Sequence, residues 1–337
     1  MGYLYVNFAS VTAIGIIFPV LGLIALGVRV FGRVKYTKVI DIDDVLIIPA
    51  AILTVLAGVG MVIAAQMGFV GGHTPEQSFG EFLHEVEEHQ IMLEKFEYAY
   101  WIGHVLAIGL IKLTFLFFFR RIFRGRGLRT AFDWINWTMI ILVTTWMVVF
   151  VFLEIFMCGL NFWAAWSSVY ALRTYCINTF AMLTACAITS WIMDLAILAI
   201  PLVMVGTLHM TMKRKLQASL VFALGLFTVV AGLLRMIVFI QVLENSLMEP
   251  MISLLGTMLQ TSDDEGAISL ILFWTYTEIG VGFLVVCLVA CGRGLGSFQR
   301  RLKDIQQIVV VLCSFEGRER GSSDKCFDPS GNPVEGG

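Results

Sequence analysis

The sequence predicts an all-α membrane protein, a seven-transmembrane-helix bundle with its N-terminus outside and its C-terminus in the cytosol. Of the 337 residues, 58% are hydrophobic and 14% are charged, whereas roughly 25% are charged in a typical soluble domain. The apolar residues gather in seven long windows, and the first, third and fifth connections are basic whereas the second and sixth are acidic. An apolar excess of this size needs lipid as its solvent.

The seven apolar windows define the predicted spans. Each is long enough to cross a hydrocarbon core of roughly 30 Å at about 1.5 Å per residue. They cover residues 6–28, 45–67, 98–119, 134–156, 178–205, 216–240 and 267–291. Together they form one transmembrane domain over residues 1–296. The first window lacks the basic region of a signal peptide, so we expect it to be retained as a span.

The charges of the connections predict the orientation. Basic residues concentrate in the first, third and fifth connections and after the last span, which the positive-inside rule places in the cytosol. They include Arg29, Arg33, Lys35, Lys38, Arg120, Arg121, Arg124, Arg126, Arg129, Lys213, Arg214, Lys215, Arg293, Arg300, Arg301 and Lys303. The second and sixth connections are acidic and are expected to face outward.

The chain after the last span divides into two parts. Over residues 297–315, apolar residues recur at helical spacing between basic ones, which predicts an amphipathic juxtamembrane helix on the inner leaflet. Over residues 316–337 the composition turns to Gly, Ser, Pro and charge, which predicts a disordered cytosolic tail.

Two of the seven cysteines fall in the fourth connection, on the predicted outer side. Cys158 and Cys176 would there meet an oxidising compartment. A disulfide between them would close the loop that carries Trp163 and Trp166 over the mouth of the bundle. Two independent thiols are the alternative.

We single out four ionisable residues inside the predicted spans: Lys112, Asp194, Arg235 and Glu278. An ionised side chain at the bilayer centre costs roughly 2.5 to 3.5 kcal/mol, so such groups usually face the bundle interior and have partners. Counted at about 1.5 Å per residue from the outer ends of the spans, Lys112 and Asp194 both lie about 20 Å deep. On the same count Glu278 lies about 16 Å deep and Arg235 about 8 Å. The depths predict one pair between Lys112 and Asp194 and a second between Arg235 and Glu278.

This intramembrane polar network has two interpretations. It could line a cavity that binds a ligand, relays a proton or holds a conformational switch. It could instead be a set of structural ion bridges that lock spans three, five, six and seven together. Buried charge alone does not decide between them.

Soluble-enzyme motifs are missing from the sequence. His84 and His89 resemble a zinc-protease helix but are five residues apart, whereas that motif needs four. We therefore predict no metal, with a loosely metal-binding acidic loop as the alternative. The sequence has no P-loop, dinucleotide fingerprint or nucleophile elbow. Whether the protein is an enzyme stays open, and the missing motifs favour a protein that is not one. Bulk charge predicts no nucleic-acid partner.

A set of motifs recurs in order along the chain. Its members are Asp43, Asp44, Gly68, Gly71, His73, Lys112, Cys158, Trp166, Cys176, Asp194, Pro201, Arg235, Trp274 and Glu278. Over roughly residues 10–300 they resemble the fungal rhodopsin-domain integral membrane proteins, a seven-span, receptor-like family that includes a membrane protein from a satratoxin gene cluster. The chain departs from the family at Leu160 and Val289, where prolines are often found.

The resemblance does not imply a retinal cofactor. Retinal proteins hold their chromophore on a lysine in the seventh span, and residues 267–291 contain no lysine. Lys112 is expected to form a salt bridge rather than a Schiff base. We therefore expect no cofactor.

The sequence favours an orphan receptor-like protein that lies in the lipid bilayer. It would bind or sense a small lipophilic molecule in the outer half of the bundle and signal to a cytosolic partner at the basic inner loops. The alternative is a membrane-embedded enzyme or accessory protein of a fungal secondary-metabolite gene cluster, with Asp194 or Glu278 as its acid or base. A transporter is a third hypothesis. The membrane is the plasma membrane or an endomembrane.

Overall fold

The computed structural model describes residues 6–37, 41–71, 82–123, 129–167, 171, 174–207, 212–245, 251–254, 257–260 and 268–289. Within these ranges, seven helices are long and apolar enough to cross a membrane. The protein is a multi-pass integral membrane protein, and the predicted seven-helix fold class is confirmed. Which terminus faces the cytosol stays a prediction.

The helices follow one another along the chain in order. They are α1 (Phe8–Gly32), α2 (Ile42–Gln66), α3 (Phe82–Phe123), α4 (Arg129–Ile155), α5 (Thr179–Thr207), α6 (Met212–Asn245) and α7 (Ile268–Val289). A π-helical turn follows α1, and a 3₁₀ helix, Phe162–Ala165, lies between α4 and α5. The predicted juxtamembrane helix at 297–315 and the tail at 316–337 lie outside the described residues.

Two features differ from the predicted connections. Between α6 and α7, strands β1 (Met251–Leu254) and β2 (Thr257–Gln260) pair antiparallel, where the sequence indicated only an acidic connection. Helix α3 begins at Phe82, well before the predicted span at residue 98. The added segment, residues 82–97, contains five glutamates and two leucines, which are strong helix formers, so the helix continues although its hydropathy falls.

The centre of the bundle is formed by α3 and α7. In each, 72% of the apolar window is buried, against 22–39% in the other five spans. The outer faces of α1, α2 and α4 expose large apolar side chains, among them Ile24 (59%), Leu56 (61%) and Ile141 (61%). These faces are the surface that the lipid bilayer covers.

Small residues bring α1, α2 and α7 into close contact. A Cβ atom added at Gly58 of α2 would lie 2.3 Å from Tyr276 Oη of α7 and 2.6 Å from Pro19 Cγ of α1. Tyr276 also donates a hydrogen bond of 3.3 Å to the Thr54 carbonyl. Because lipid provides little hydrophobic drive between helices, this dispersion contact is a main source of their association.

The two ends of the bundle are named here by their chemistry. At the disulfide end, Cys158 and Cys176 form a disulfide bond. The predicted disulfide is therefore present, and the alternative of two independent thiols does not hold. Trp166 packs edge-on against Tyr98 of α3, with ring centroids 5.7 Å apart, and the Tyr98 hydroxyl donates to the Ile155 carbonyl. The opposite end, which carries Arg29 and Arg121, is called the arginine end.

We expect Gly58→Ala to lower the thermal stability of the purified protein. The added methyl group meets α1 and α7 at less than contact distance, and overpacking of this kind typically costs about 1–3 kcal/mol. Gly27→Ala on α1 is the matched control, because a Cβ there meets nothing within 4 Å. The measurement is the melting temperature in detergent by size-exclusion chromatography. Equal melting of the two variants would contradict the close-packing argument.

Candidate functional site

Two ion pairs lie in the interior of the bundle, and together they contain all four predicted intramembrane residues. Lys112 of α3 pairs with Asp194 of α5, and its ammonium also donates to the Ser190 carbonyl at 3.0 Å. Arg235 Nη1 of α6 lies 2.7 Å from Glu278 Oε2 of α7. The side chains of Lys112, Arg235 and Glu278 are 2–4% exposed and that of Asp194 is 13% exposed. Each pair therefore joins two helices.

His104 extends the second ion pair and was missed by the sequence analysis. Its Nε2 contacts Nη1 of Arg235, so one arginine nitrogen lies against both a carboxylate and an imidazole. His104 lies two helical turns before Lys112 on α3, hence on a similar face, and this spacing was the signal that could have found it. Trp101 packs edge-on against the imidazole, at 5.9 Å between centroids.

A cavity adjoins both ion pairs. Lys112, Asp194 and Glu278 form its polar side together with Thr228. Its apolar side consists of Ile108, Ile111, Phe115, Phe119, Ile197 and Leu198. The cavity has a volume of about 530 Å³ when the space at its open side is included. The cavity extends from the ion pairs towards the arginine end, whereas the sequence analysis expected a ligand in the half that carries the disulfide.

The arginine end holds a third group of charges. Arg29, 1% exposed at its side chain, contacts Asp43 Oδ2 at 2.9 Å and Asp44 Oδ1 at 3.0 Å. It also donates to the Val286 carbonyl of α7 at 3.2 Å. Arg33 lies 3.0 Å from Asp43 Oδ2. The family-motif residues Asp43 and Asp44 thus tie the start of α2 to α1 and, through Arg29, to α7.

Arg121 of α3 completes this group. Its Nη1 lies 2.5 Å from Asp41 Oδ2 and 3.5 Å from Asp43 Oδ1. The three aspartates have oxygens within 4.8 Å of one another, a spacing that would suit a metal ion. Three arginines already balance their charge, so the geometry favours an ion-pair cluster at this position.

The remaining motif residues have varied placements. Gly68 and Gly71 follow α2 with φ of +79° and +87°, a conformation that favours glycine. The Gly71 amide donates to Ser269 Oγ at 2.9 Å, which joins the exit of α2 to the start of α7. Trp274 is partly buried against the core. His73 lies outside the described residues.

Glu154 is a further buried acid that the sequence analysis did not single out. It lies near the end of α4 and is 2% exposed. Within the described part of the chain its Oε1 has no hydrogen-bond partner. It is not one of the residues that line the cavity.

We expect Arg235→Met to destabilise the protein severely and the double variant Arg235→Met, Glu278→Gln to recover much of the loss. Removing one partner of a buried pair leaves an uncompensated charge, which typically costs about 3–5 kcal/mol. The check is a double-mutant cycle of melting temperatures in detergent. A double variant no more stable than the single one would show that the two side chains do not depend on each other.

Comparison with known proteins gives one family and one curated relative. The family model described as "Fungal rhodopsin domain" matches residues 28–295. The polyenoic acids biosynthesis gene cluster protein Ba17b of Metarhizium anisopliae is 26% identical over 283 residues, which cover 81% of this chain and 70% of the relative. No solved structure matches the chain.

The word rhodopsin in the family description raises the question of retinal. Helix α7 carries no lysine, and the Lys112 ammonium is held by Asp194 and the Ser190 carbonyl. These residues do not fit a Schiff-base chromophore in the seventh span. That the protein binds no cofactor stays a prediction.

Proposed function

The chain belongs to the fungal rhodopsin domain family, and on that premise we propose that it is a receptor-like membrane protein that binds a small lipophilic molecule inside its bundle. The observation that carries the proposal is the cavity between α3, α5, α6 and α7. Small-molecule sites are typically concave, mostly apolar and furnished with a few convergent polar groups. This cavity has such a lining, with Lys112, Asp194 and Glu278 at its polar side.

The ion pairs supply a way for binding to be sensed. Each pair joins two helices that line the cavity, and charges inside a membrane protein commonly mark ligand or proton pathways. A ligand that contacts Asp194 changes the ion pair between α3 and α5, and one that contacts Glu278 changes the ion pair between α6 and α7. In this proposal the movement reaches the arginine end, where a cytosolic partner would bind the basic connections.

We expect a lipophilic molecule to co-purify with the protein and to be lost when the cavity is filled. Gly282→Leu places a side chain into the space, since Gly282 lines it and a Cβ there meets only Ile111, at 3.4 Å or more. Gly103→Leu on α3 is the control, because a Cβ at Gly103 meets nothing within 4 Å. The measurement is solvent extraction and mass spectrometry of matched amounts of folded protein. Equal recovery from both variants would contradict binding in this cavity.

The second candidate is a membrane component of a secondary-metabolite pathway. It is favoured by the name of the relative, which assigns that protein to a polyenoic acids biosynthesis gene cluster. In this role Asp194 or Glu278 would act as the acid or base on a hydrophobic intermediate. As a carboxylate with one oxygen in an ion pair, either group keeps a second oxygen for proton transfer.

Deletion of the gene separates the two candidates. A receptor is expected to leave the metabolite profile without an accumulated precursor, while the cellular response to its ligand is lost. A pathway component is expected to leave one intermediate in excess, since the step that consumes it fails. Untargeted metabolite profiling of the deletion strain, complemented with the wild type or with Asp194→Asn, provides the readout. Accumulation of a single intermediate, cleared by the wild type alone, would exclude the receptor.

A further inference from the structure

The two ion pairs leave one carboxylate oxygen of each acid facing the same position. Asp194 Oδ1 contacts Lys112, and Glu278 Oε2 contacts Arg235. The other oxygens, Asp194 Oδ2 and Glu278 Oε1, each lie 3.5 Å from the point where a Cβ of Gly232 would stand. The two oxygens are therefore no more than 7.0 Å apart, twice that distance. Glycine at position 232 keeps the space between them open.

No donor of the described residues bonds to these two oxygens. Among the hydrogen bonds of the described residues, Asp194 accepts only from Lys112, through Oδ1, and Glu278 has the arginine contact at Oε2 alone. Trp191 borders the same position, with Cδ1 at 3.5 Å. The adjoining Trp191 Nε1 is buried and has no hydrogen-bond partner in the described chain. The position thus offers two acceptors and one donor.

The charge of the site limits the ligand to a neutral molecule. Lys112 and Arg235 balance Asp194 and Glu278, so the four side chains have a formal charge of zero. A ligand with a charge of either sign would be buried without a counterion, which is costly inside a membrane. A carboxylate would in addition face two acceptor oxygens and repel both.

A hydroxyl group satisfies these conditions. It has one hydrogen to donate to a carboxylate oxygen and lone pairs to accept from an indole N–H. The six large apolar side chains along α3 and α5 suit a hydrocarbon chain that continues through the open side of the cavity. We propose that the protein binds a neutral lipid alcohol, with its hydroxyl beside Gly232 between Asp194 and Glu278 and its chain along the apolar side of the cavity.

This inference rests on the proposed function, and it is tested with matched ligands of one chain length. Full-length protein in lipid nanodiscs is incubated with tritiated 1-dodecanol, and dodecanoate, dodecylamine and dodecane compete for binding in a scintillation proximity assay. Protein-free nanodiscs correct for partition into lipid. Unlabelled dodecanol is expected to compete at least about tenfold better than the other three, because a hydrogen bond to a charged group has that effect on affinity.

Gly232→Ala is the decisive variant. Its methyl group lies at ordinary contact distance from all three neighbours, and alanine favours a helix over glycine, so folding is retained. The methyl group would stand 3.5 Å from both carboxylate oxygens, on the side where the hydroxyl is proposed to approach them, and we expect the affinity for dodecanol to fall at least about tenfold. Gly103→Ala, whose Cβ meets nothing within 4 Å, is expected to bind as the wild type does.

Two other outcomes have different meanings. If all four head groups compete equally, or if Gly232→Ala binds dodecanol as the wild type does, the hydroxyl site is wrong while binding of a lipophilic molecule stands. If the wild type shows no binding of dodecanol above protein-free nanodiscs and no molecule co-purifies with it, the proposed function fails as well.

Discussion

The burial of ionised side chains in a hydrocarbon environment determines how the helices of this bundle can be arranged. No single helix neutralises its own charge: Lys112 on α3 needs Asp194 on α5, and Arg235 on α6 needs Glu278 on α7. If one of these helices moved by a turn, both members of a pair would lose their counterion, at a cost of several kcal/mol. The pairs therefore fix the relative depth and rotation of α3 against α5 and of α6 against α7, which apolar packing alone leaves less well defined.

The other side of the bundle is held by a different force. At Gly58, backbone of α2 and side chains of α1 and α7 come so close that even a methyl group has no room. The arginine end then adds charge to this packing, since Arg29 reaches Asp43, Asp44 and the Val286 carbonyl. Helix α7 takes part in both arrangements, through Glu278 and through Tyr276. This double role accounts for the deep burial of α7.

The sequence brings Lys112 level with Asp194, because depth along a span can be counted from residue numbers, but the contact of Arg235 with Glu278 spans about 8 Å of counted depth. The sequence does not predict which side chains face inward, so the cavity and the position beside Gly232 could not be foreseen. Arg29 was counted as a loop charge, yet it is buried, since α1 continues to Gly32. His104 was missed because a search for ionised groups passes over a neutral imidazole. The early start of α3 was missed because hydropathy, rather than helix propensity, defined the spans.

Helix α3 is much longer than the membrane is thick, so its outer part can act as a lever. Its 42 residues measure about 63 Å, roughly twice the thickness of the hydrocarbon core. Lys112 lies about 45 Å from the helix start, so a tilt of about 10° around Lys112 moves that end by roughly 8 Å. Conversely, a force applied to the end beyond the membrane acts on the ion pair with a long lever arm. The length of this helix therefore couples events far from the bilayer to the geometry of the buried charges.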